Sequence, residues 1–352
     1  MDPHLMDQVA GKVLRESLSV REGETVTIET WNTGVEFAKR TAVRARRMGA
    51  LPLVLFEDED AYVEGLRQTP SACVGKMGRH EYALLSETQA YVFIPGPVLG
   101  GSSRISRRQV PTSTAYNPSW YKAAEKARLR GVRMTFGYVG EELAQILHRT
   151  RGRIVEHQLK GSLANFSRIR RRGLGLSHRL RPGAKVIVTA EEETLRFQLG
   201  REDALDDGVV TRQDLATGGN MTNMPPGYYA REIVPSSLTG VIRVYAPVPR
   251  VGSVADLRLE FRNGRLVSWE SAADRRWLNR LVADTPKDRR RLAALVIGLN
   301  PALHAGYGQD RLMEGAVTFS GMFQGTTRAA TVQVHGEPVV QESVLAPDSR
   351  DA

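Results

Sequence analysis

The sequence predicts two domains of different class. Residues 1–155 read as an α/β domain with a mostly parallel sheet, and residues 156–352 as an α+β domain whose sheet is antiparallel and partly barrel-like. Three observations carry this reading. Strand and helix signals alternate through residues 1–150, the pattern of a parallel sheet with helices on both faces. Beyond residue 155 strand-like runs follow one another across short turns, as antiparallel neighbours do. A chain of 352 residues is also long enough for two ordinary hydrophobic cores.

In the first half, Glu24-Thr-Val-Thr-Ile-Glu-Thr30 alternates with period two after a Glu-Gly turn. From Gly34 to Met48 the apolar residues Val35, Ala38, Ala42 and Ala45 recur at helical spacing, and Gly49 ends the run. Leu51–Phe56 reads as a short buried strand and Glu59–Gln68 as a helix. Ala90–Ile94 repeats the strand signal, as does Gly131–Phe136 ahead of a helix over Glu141–Arg149. Between them, Pro95–Pro118 is rich in Gly, Ser and Pro and reads as a long loop leading to a helix over Tyr121–Arg130.

In the second half, Ala184–Thr189 and Thr194–Leu199 flank the acidic turn Glu191-Glu-Glu193. Ala255–Phe261 and Arg265–Trp269 flank Asn263-Gly264, the strongest short-range hairpin signal. Helical patterns follow over Ala272–Val282 and Lys287–Leu295, then strands over Ala316–Phe323 and Ala330–Val334. The end of the chain, Ala346–Ala352, carries no regular signal.

Composition excludes several classes. The chain is 41% hydrophobic and 25% charged, ordinary for a globular protein and unlike a disordered one. No apolar run approaches the roughly 20 residues of a membrane span, and Met1-Asp-Pro-His4 does not read as a secretory signal. With Cys73 as the one cysteine there is no internal disulfide and no cysteine cluster for zinc, so a reducing, cytoplasmic location is expected. The net charge of +10 is concentrated over Arg168–Arg181 and Lys287–Arg291. Phe166 is the one aromatic near the first stretch, too few for a base-stacking platform. An acidic or anionic partner is therefore favoured over nucleic acid.

Four segments of the second half, in order, resemble landmarks of the aminopeptidase T family. Asn223-Met-Pro-Pro-Gly-Tyr-Tyr229, followed by Pro235 and Thr239-Gly-Val241, is similar to that family's Asn-Leu-Pro segment. The Leu259–Trp269 hairpin resembles its strand–turn–strand. Arg290–Pro301, ending Gly-Leu-Asn-Pro, resembles its Arg-x-Leu-Gly-Glu-x-x-x-Gly-x-Asn-Pro segment. Met313–Gly321 resembles its Asp-Glu-Lys-x-x-Gly-Thr-x-His segment. In the first half, Val20-Arg-Glu-Gly-Glu-Thr-Val26 and the helix ending Met48-Gly-Ala50 are compatible.

The resemblance implies an aminopeptidase T-like fold. In that family two divalent ions, held by carboxylates and imidazoles, activate a bridging water. Here Gly227 and Tyr228 stand where the first carboxylate is expected, and Glu232 is the nearest acid. Ala294 stands in place of the second Glu and Phe319 in place of the His. Thr326–Val334 contains neither Asp nor His, so the His-x-Asp pair is missing. A related branch, the dihydroxypyridine ring-opening dioxygenases, uses iron held by two His and an Asp, and no His stands at corresponding places. His304, Asp310, Glu314 and His335 are scattered and match no ligand spacing.

The resemblance thus implies a scaffold with no catalytic residue of the family's kind, no metal and no other cofactor. Small and aromatic replacements would turn the charged cleft into an apolar one suited to a peptide. The expected peptide-binding residues are Asn223, Tyr228, Tyr229, Arg231, Asn300, His304, Tyr307 and Phe319. For Phe319 a core role is an equal alternative. The leading reading is a non-catalytic peptide-binding protein that presents a precursor peptide to a modifying enzyme in ribosomal-peptide natural-product biosynthesis. A divergent peptidase or other hydrolase is the alternative. Expected partners are a peptide, a second copy or a homologue, and a peptide-modifying enzyme, with no membrane. Pro97–Arg104 as a phosphate loop and Cys73 with His80 as a nucleophile pair are weaker candidates: the first lacks the Walker lysine, and neighbours in sequence rarely make such a pair.

Overall fold

The computed structural model describes residues 2–70, 73–100, 104, 116–248, 253–271, 275–322 and 324–347. In chain order its elements begin with α1 (Pro3–Lys12), β1 (Thr25–Trp31), α2 (Val35–Arg47), β2 (Leu51–Glu57), α3 (Glu59–Gln68), α4 (Arg79–Ser86) and β3 (Ala90–Ile94). Next come α5 (Tyr116–Lys126), β4 (Arg130–Met134), α6 (Glu141–Ile146), α7 (Arg151–Gly161) and α8 (Phe166–Arg179). Then follow β5 (Lys185–Ala190), β6 (Glu193–Asp206), α9 (Arg212–Ala216), β7 (Met221–Met224), β8 (Tyr228–Ile233) and β9 (Thr239–Val248). The last elements are β10 (Ser253–Arg262), β11 (Arg265–Ser271), α10 (Arg275–Asp284), β12 (Leu292–Gly298), β13 (Val317–Gly321), β14 (Gly325–Thr326), β15 (Thr331–Val334), β16 (Glu337–Gln341) and β17 (Val344–Leu345).

These elements form two compact units. One comprises Met1–Ala144, Arg149–Leu163 and Gly208–Pro225; the other comprises Gln145–His148, Ala164–Asp207 and Pro226–Ala352. The first unit holds a five-stranded sheet in the order β2-β1-β3-β4-β7, parallel throughout. Its fifth strand comes from the excursion at 221–224. Local chemistry explains the helices. Asp2 caps α1 by accepting from the His4 amide at 2.8 Å, with Pro3 at the first helical position. Asp58 caps α3 through the Ala61 amide at 2.9 Å, with Glu59 and Asp60 in the first turn.

Two expectations for this unit are corrected. Leu51–Phe56 is a strand but not a buried one: β2 lies at the sheet edge, with Leu51 61% and Phe56 58% exposed. The helix expected from Tyr121 starts at Tyr116, because Pro118 falls in its first turn, where its missing N–H costs nothing. Most of the expected loop at 95–118 lies outside the described residues.

The second unit is a twelve-stranded sheet in the order β11-β10-β9-β14-β13-β12-β8-β6-β5-β15-β16-β17. β6 also pairs with β9, which closes the run from β9 to β6 into a partial ring. β6 reaches both partners because it is long and irregular between Leu199 and Asp203: its first half pairs with β5 and β9, its second with β8. The hairpin expected at Asn263-Gly264 is present between β10 and β11, both residues having positive φ (48° and 77°). The helix expected over Lys287–Leu295 is not. A single 3₁₀ turn at Lys287–Arg289 leads into β12, which is paired on both sides; pairing overrides the helix propensity of Arg, Leu and Ala.

One apolar face of the ring faces inward. Phe197 of β6 and Phe319 of β13 meet edge to face at 6.2 Å although two strands separate β6 from β13 in the sheet. Ile169 and Leu176 of α8 join this core. Gly173 of α8 lies against Leu205, where a Cβ would sit 2.2 Å from the Leu205 side chain. The ring closes at Gly240, φ 117°, where a Cβ would lie 2.2 Å from the Thr194 carbonyl oxygen. Gly240→Ala is therefore expected to lower unfolding stability by at least about 2 kcal/mol. Gly183→Ala, also at positive φ but with nothing within 4 Å, should cost less. Urea unfolding of the two variants checks the difference.

Candidate functional site

The expected peptide-binding residues do not share one surface. Side chains along a strand alternate between faces, and residues paired across strands share a face. Leu295 pairs with Arg231 and with Phe319, and Ile297 pairs with Tyr229. Tyr229, Arg231 and Phe319 thus point inward with Leu295, and they are 1%, 5% and 0% exposed. Tyr228 is their neighbour on the other side. It pairs with Gly298, and the same outward face carries Ala230, Glu232 and Ala294. The adjacent tyrosines, expected in one cleft, are separated by the sheet, and Phe319 is a core residue.

The inward polar groups engage one another, with Nε of Arg231 left without a partner among the described residues. Tyr229 donates from its hydroxyl to Asp203 at 2.9 Å. Arg231 forms an ion pair with the same carboxylate at 2.9 Å and donates to the Arg201 carbonyl at 2.8 Å. Ser177 of α8 donates to Asp203 as well. Burial is the main cause that pushes the Tyr229 hydroxyl up to about 12. A phenol held neutral in this way braces the ring against α8.

Asn300 is fully buried and joins two of the motifs noted in the sequence. Its Nδ2 donates to the Pro226 carbonyl at 2.7 Å and its Oδ1 accepts from the Ala302 amide at 3.0 Å. Gly227, at φ 125°, presses against it: a Cβ there would stand 2.7 Å from Cβ of Asn300. Asn300 therefore shapes backbone and has no side-chain surface for a ligand. His304 is exposed and Tyr307 partly exposed in the loop after Pro301. Asp310 folds that loop by accepting from the Gly306 amide at 3.0 Å. Asn223 lies on β7 of the first unit.

The outward face is partly exposed at Tyr228, Ala230, Glu232 and Ala294. The Arg311 guanidinium lies 5.8 Å from the centre of the Tyr228 ring, a cation–π geometry. The donors present do not fit a pair of metal ions. Tyr228 and Glu232 are about 13 Å apart along the strand, and no imidazole stands at the paired positions of β8, β12 and β13. Elsewhere Glu314 is engaged by Arg168 and Arg172, and His335 is exposed in the turn between β15 and β16. Among the described residues no group of three or more His, Cys, Asp or Glu side chains is assembled to hold a metal. No helix among them is long and apolar enough to cross a membrane.

Similar solved structures include two that match over nearly their whole length. AmpT from Thermus thermophilus matches with TM-score 0.68 at 14% identity, covering 98% of this chain and 99% of that one. The fold is aminopeptidase T-like. The 2,5-dihydroxypyridine dioxygenase from Pseudomonas putida KT2440 matches with TM-score 0.62 at 12% identity, covering all of both chains. At such identities the likeness of the aminopeptidase T-like fold to these enzymes is one of architecture alone. No protein-family model matches the sequence, and no curated protein does.

One polar cluster escaped the sequence reading. In the first unit Tyr91 of β3 donates to Glu29 of β1, and Tyr116 donates to Glu81 of α4 at 2.7 Å. Burial pushes the Glu29 carboxyl up, and Glu57 at the end of β2 and Glu81 add repulsion. Burial likewise raises Glu57, and Tyr91 and Tyr116 lie above the ordinary tyrosine range for the same reason. The signal was present in the period-two run, where Glu29 occupies a strand position, but Glu57, Glu81 and Tyr91 are 28, 52 and 62 residues away in sequence.

Asn300→Ala is expected to lower stability by about 1–3 kcal/mol, the cost of leaving the buried Pro226 carbonyl without its donor. Calorimetric unfolding checks this. For Tyr229 the raised pKa means that the neutral hydroxyl is favoured in the folded state. Its contribution is complete below pH 10 and is lost as pH rises towards 12. The stability gap between wild type and Tyr229→Phe should therefore shrink across pH 10–12 in denaturant titrations.

Proposed function

We propose that this chain is a non-catalytic, metal-independent peptide-binding protein on an aminopeptidase T-like scaffold. The observation that carries the reading is the outward face of β8 and β12. There Tyr228 and Ala294 occupy the places where the resemblance calls for metal-binding carboxylates, and Arg311 lies over the Tyr228 ring. A tyrosine offers a large contact area with few rotatable bonds, and an arginine fork holds a peptide carboxylate. Of the other expected contacts, His304 and Tyr307 keep accessible surface, whereas Tyr229, Arg231, Asn300 and Phe319 support the site from below. In the cell this protein would hold a precursor peptide for a modifying enzyme of ribosomal-peptide natural-product biosynthesis, as a pair of copies or with a homologue.

Titration of the purified full chain with pooled peptides tests the reading. Binding should survive chelation and weaken roughly tenfold or more in Tyr228→Ala, as for an aromatic anchor. Phe319→Ala should instead destabilise by about 3–5 kcal/mol, as for a core aromatic. Stoichiometric divalent ions in elemental analysis, or hydrolysis of aminoacyl reporters abolished by chelator, would overturn it. So would the absence of binding to any peptide.

A further inference from the structure

The basic stretch after residue 166 has no role in the peptide face, yet it lines a separate groove. α8 is capped by Asn165, which accepts from the Arg168 amide at 3.0 Å. Phe166, Ile169, Gly173 and Leu176 form its buried stripe. Five of the remaining positions are arginines (Arg168, Arg170, Arg171, Arg172 and Arg179), and part of this face forms a groove with the C-terminal strand. Arg171, Arg172 and Arg179 line it, with Leu176, Leu345 and Ala346 as apolar walls.

The charge in this groove is only partly compensated. Arg168 and Arg172 share a single carboxylate, Glu314, at 3.1 and 3.0 Å. Arg170 pairs with Asp207 at 2.9 Å. Arg179 donates to the Pro338 carbonyl and Arg181 to the His178 carbonyl, which are neutral acceptors. Arg171 is exposed and has no partner among the described residues. Guanidinium groups do not lose their protons in proteins, so this surface stays cationic at every physiological pH.

We propose that the groove between α8 and β17 docks an acidic peptide segment with an aliphatic residue beside its carboxylates. The arginines supply forked donors for carboxylates, and Leu176, Leu345 and Ala346 accept the aliphatic side chain. Single-stranded nucleic acid fits less well. No aromatic side chain lines the groove, and Arg171 to Arg179 spans only about 12 Å of helix. The site is independent of the peptide face: Gly173 of α8 lies on Leu205, which pairs with inward Tyr229, on the side of the sheet away from Tyr228.

Fluorescence anisotropy of the full chain with labelled Glu-Leu-Glu-Leu-Glu and Gln-Leu-Gln-Leu-Gln tests the proposal. The acidic probe should bind, weaken with salt, and bind at least tenfold more tightly than its glutamine counterpart. Arg171→Glu should weaken it roughly tenfold or more, the worth of a charge-assisted hydrogen bond, with an unchanged circular dichroism spectrum because Arg171 is exposed. Tyr228→Ala should leave it unchanged, so failure here is distinct from failure of the peptide face. Equal affinity for both probes, full affinity in Arg171→Glu, loss in Tyr228→Ala, or tighter binding of an oligouridylate would each overturn the proposal.

Discussion

The second unit depends on the pairing that closes its ring. Where β6 meets β9, Leu195 opposes Gly240 and Arg196 opposes Thr239. Once that contact is made, every ring strand has an inside and an outside, and a one-residue slip would exchange them. Closure needs two devices. Gly240 lets the backbones approach where a side chain would strike the Thr194 carbonyl. The irregularity between Leu199 and Asp203 gives β6 two extra residues opposite β8; an even number keeps the alternation in phase, so that Leu199 faces with Ile233 and Leu205 with Tyr229. The inward set is then forced: Phe197, Tyr229, Leu295 and Phe319 meet in one core.

Closure also explains what the motif-like residues do. Asn300 and Gly227 are backbone devices: one ties the start of β8 to the loop beyond β12, and the other permits their close approach. Asp310, a carboxylate in the loop beyond β12, accepts from the Gly306 amide with both oxygens. Residues of this kind specify the scaffold whatever chemistry it carries. A chain can therefore share the architecture of AmpT and of a dioxygenase and still present a different set of side chains at its surface.

Much of the fold was legible because its signals are local. The bounds of α3 and β3 follow from capping and periodicity alone, and Asn263-Gly264 announces its hairpin. The failures are non-local. β12 begins among residues of high helix propensity and becomes a strand because β8 and β13 flank it. β2 is as apolar as a buried strand, yet it lies at an edge, and sheet order is not written in one strand's sequence. α8 was masked by Gly173 and Gly175; the buried spacing 166, 169, 173, 176 is helical, and Gly173 is required by the closeness of Leu205. The site suffered from the same limit. Tyr228 and Tyr229 were legible as an aromatic pair, but their opposite faces follow from a strand assignment that the preceding Pro-Pro-Gly concealed.

α8 ties the charge of the chain to its core. Its apolar stripe must be buried, since Ile169 and Leu176 complete the inward core and Gly173 fixes how closely the helix approaches β6. Burying that stripe fixes the opposite face towards water, and there the sequence places arginines where any polar residue would satisfy the fold. Glu314 neutralises part of this charge, while Arg171 remains uncompensated among the described residues. Like charges within two turns of one helix repel, a cost that the pairs with Glu314 and Asp207 offset only in part. The proposed anionic occupant would offset that cost, and it would account for the concentration of excess charge on α8.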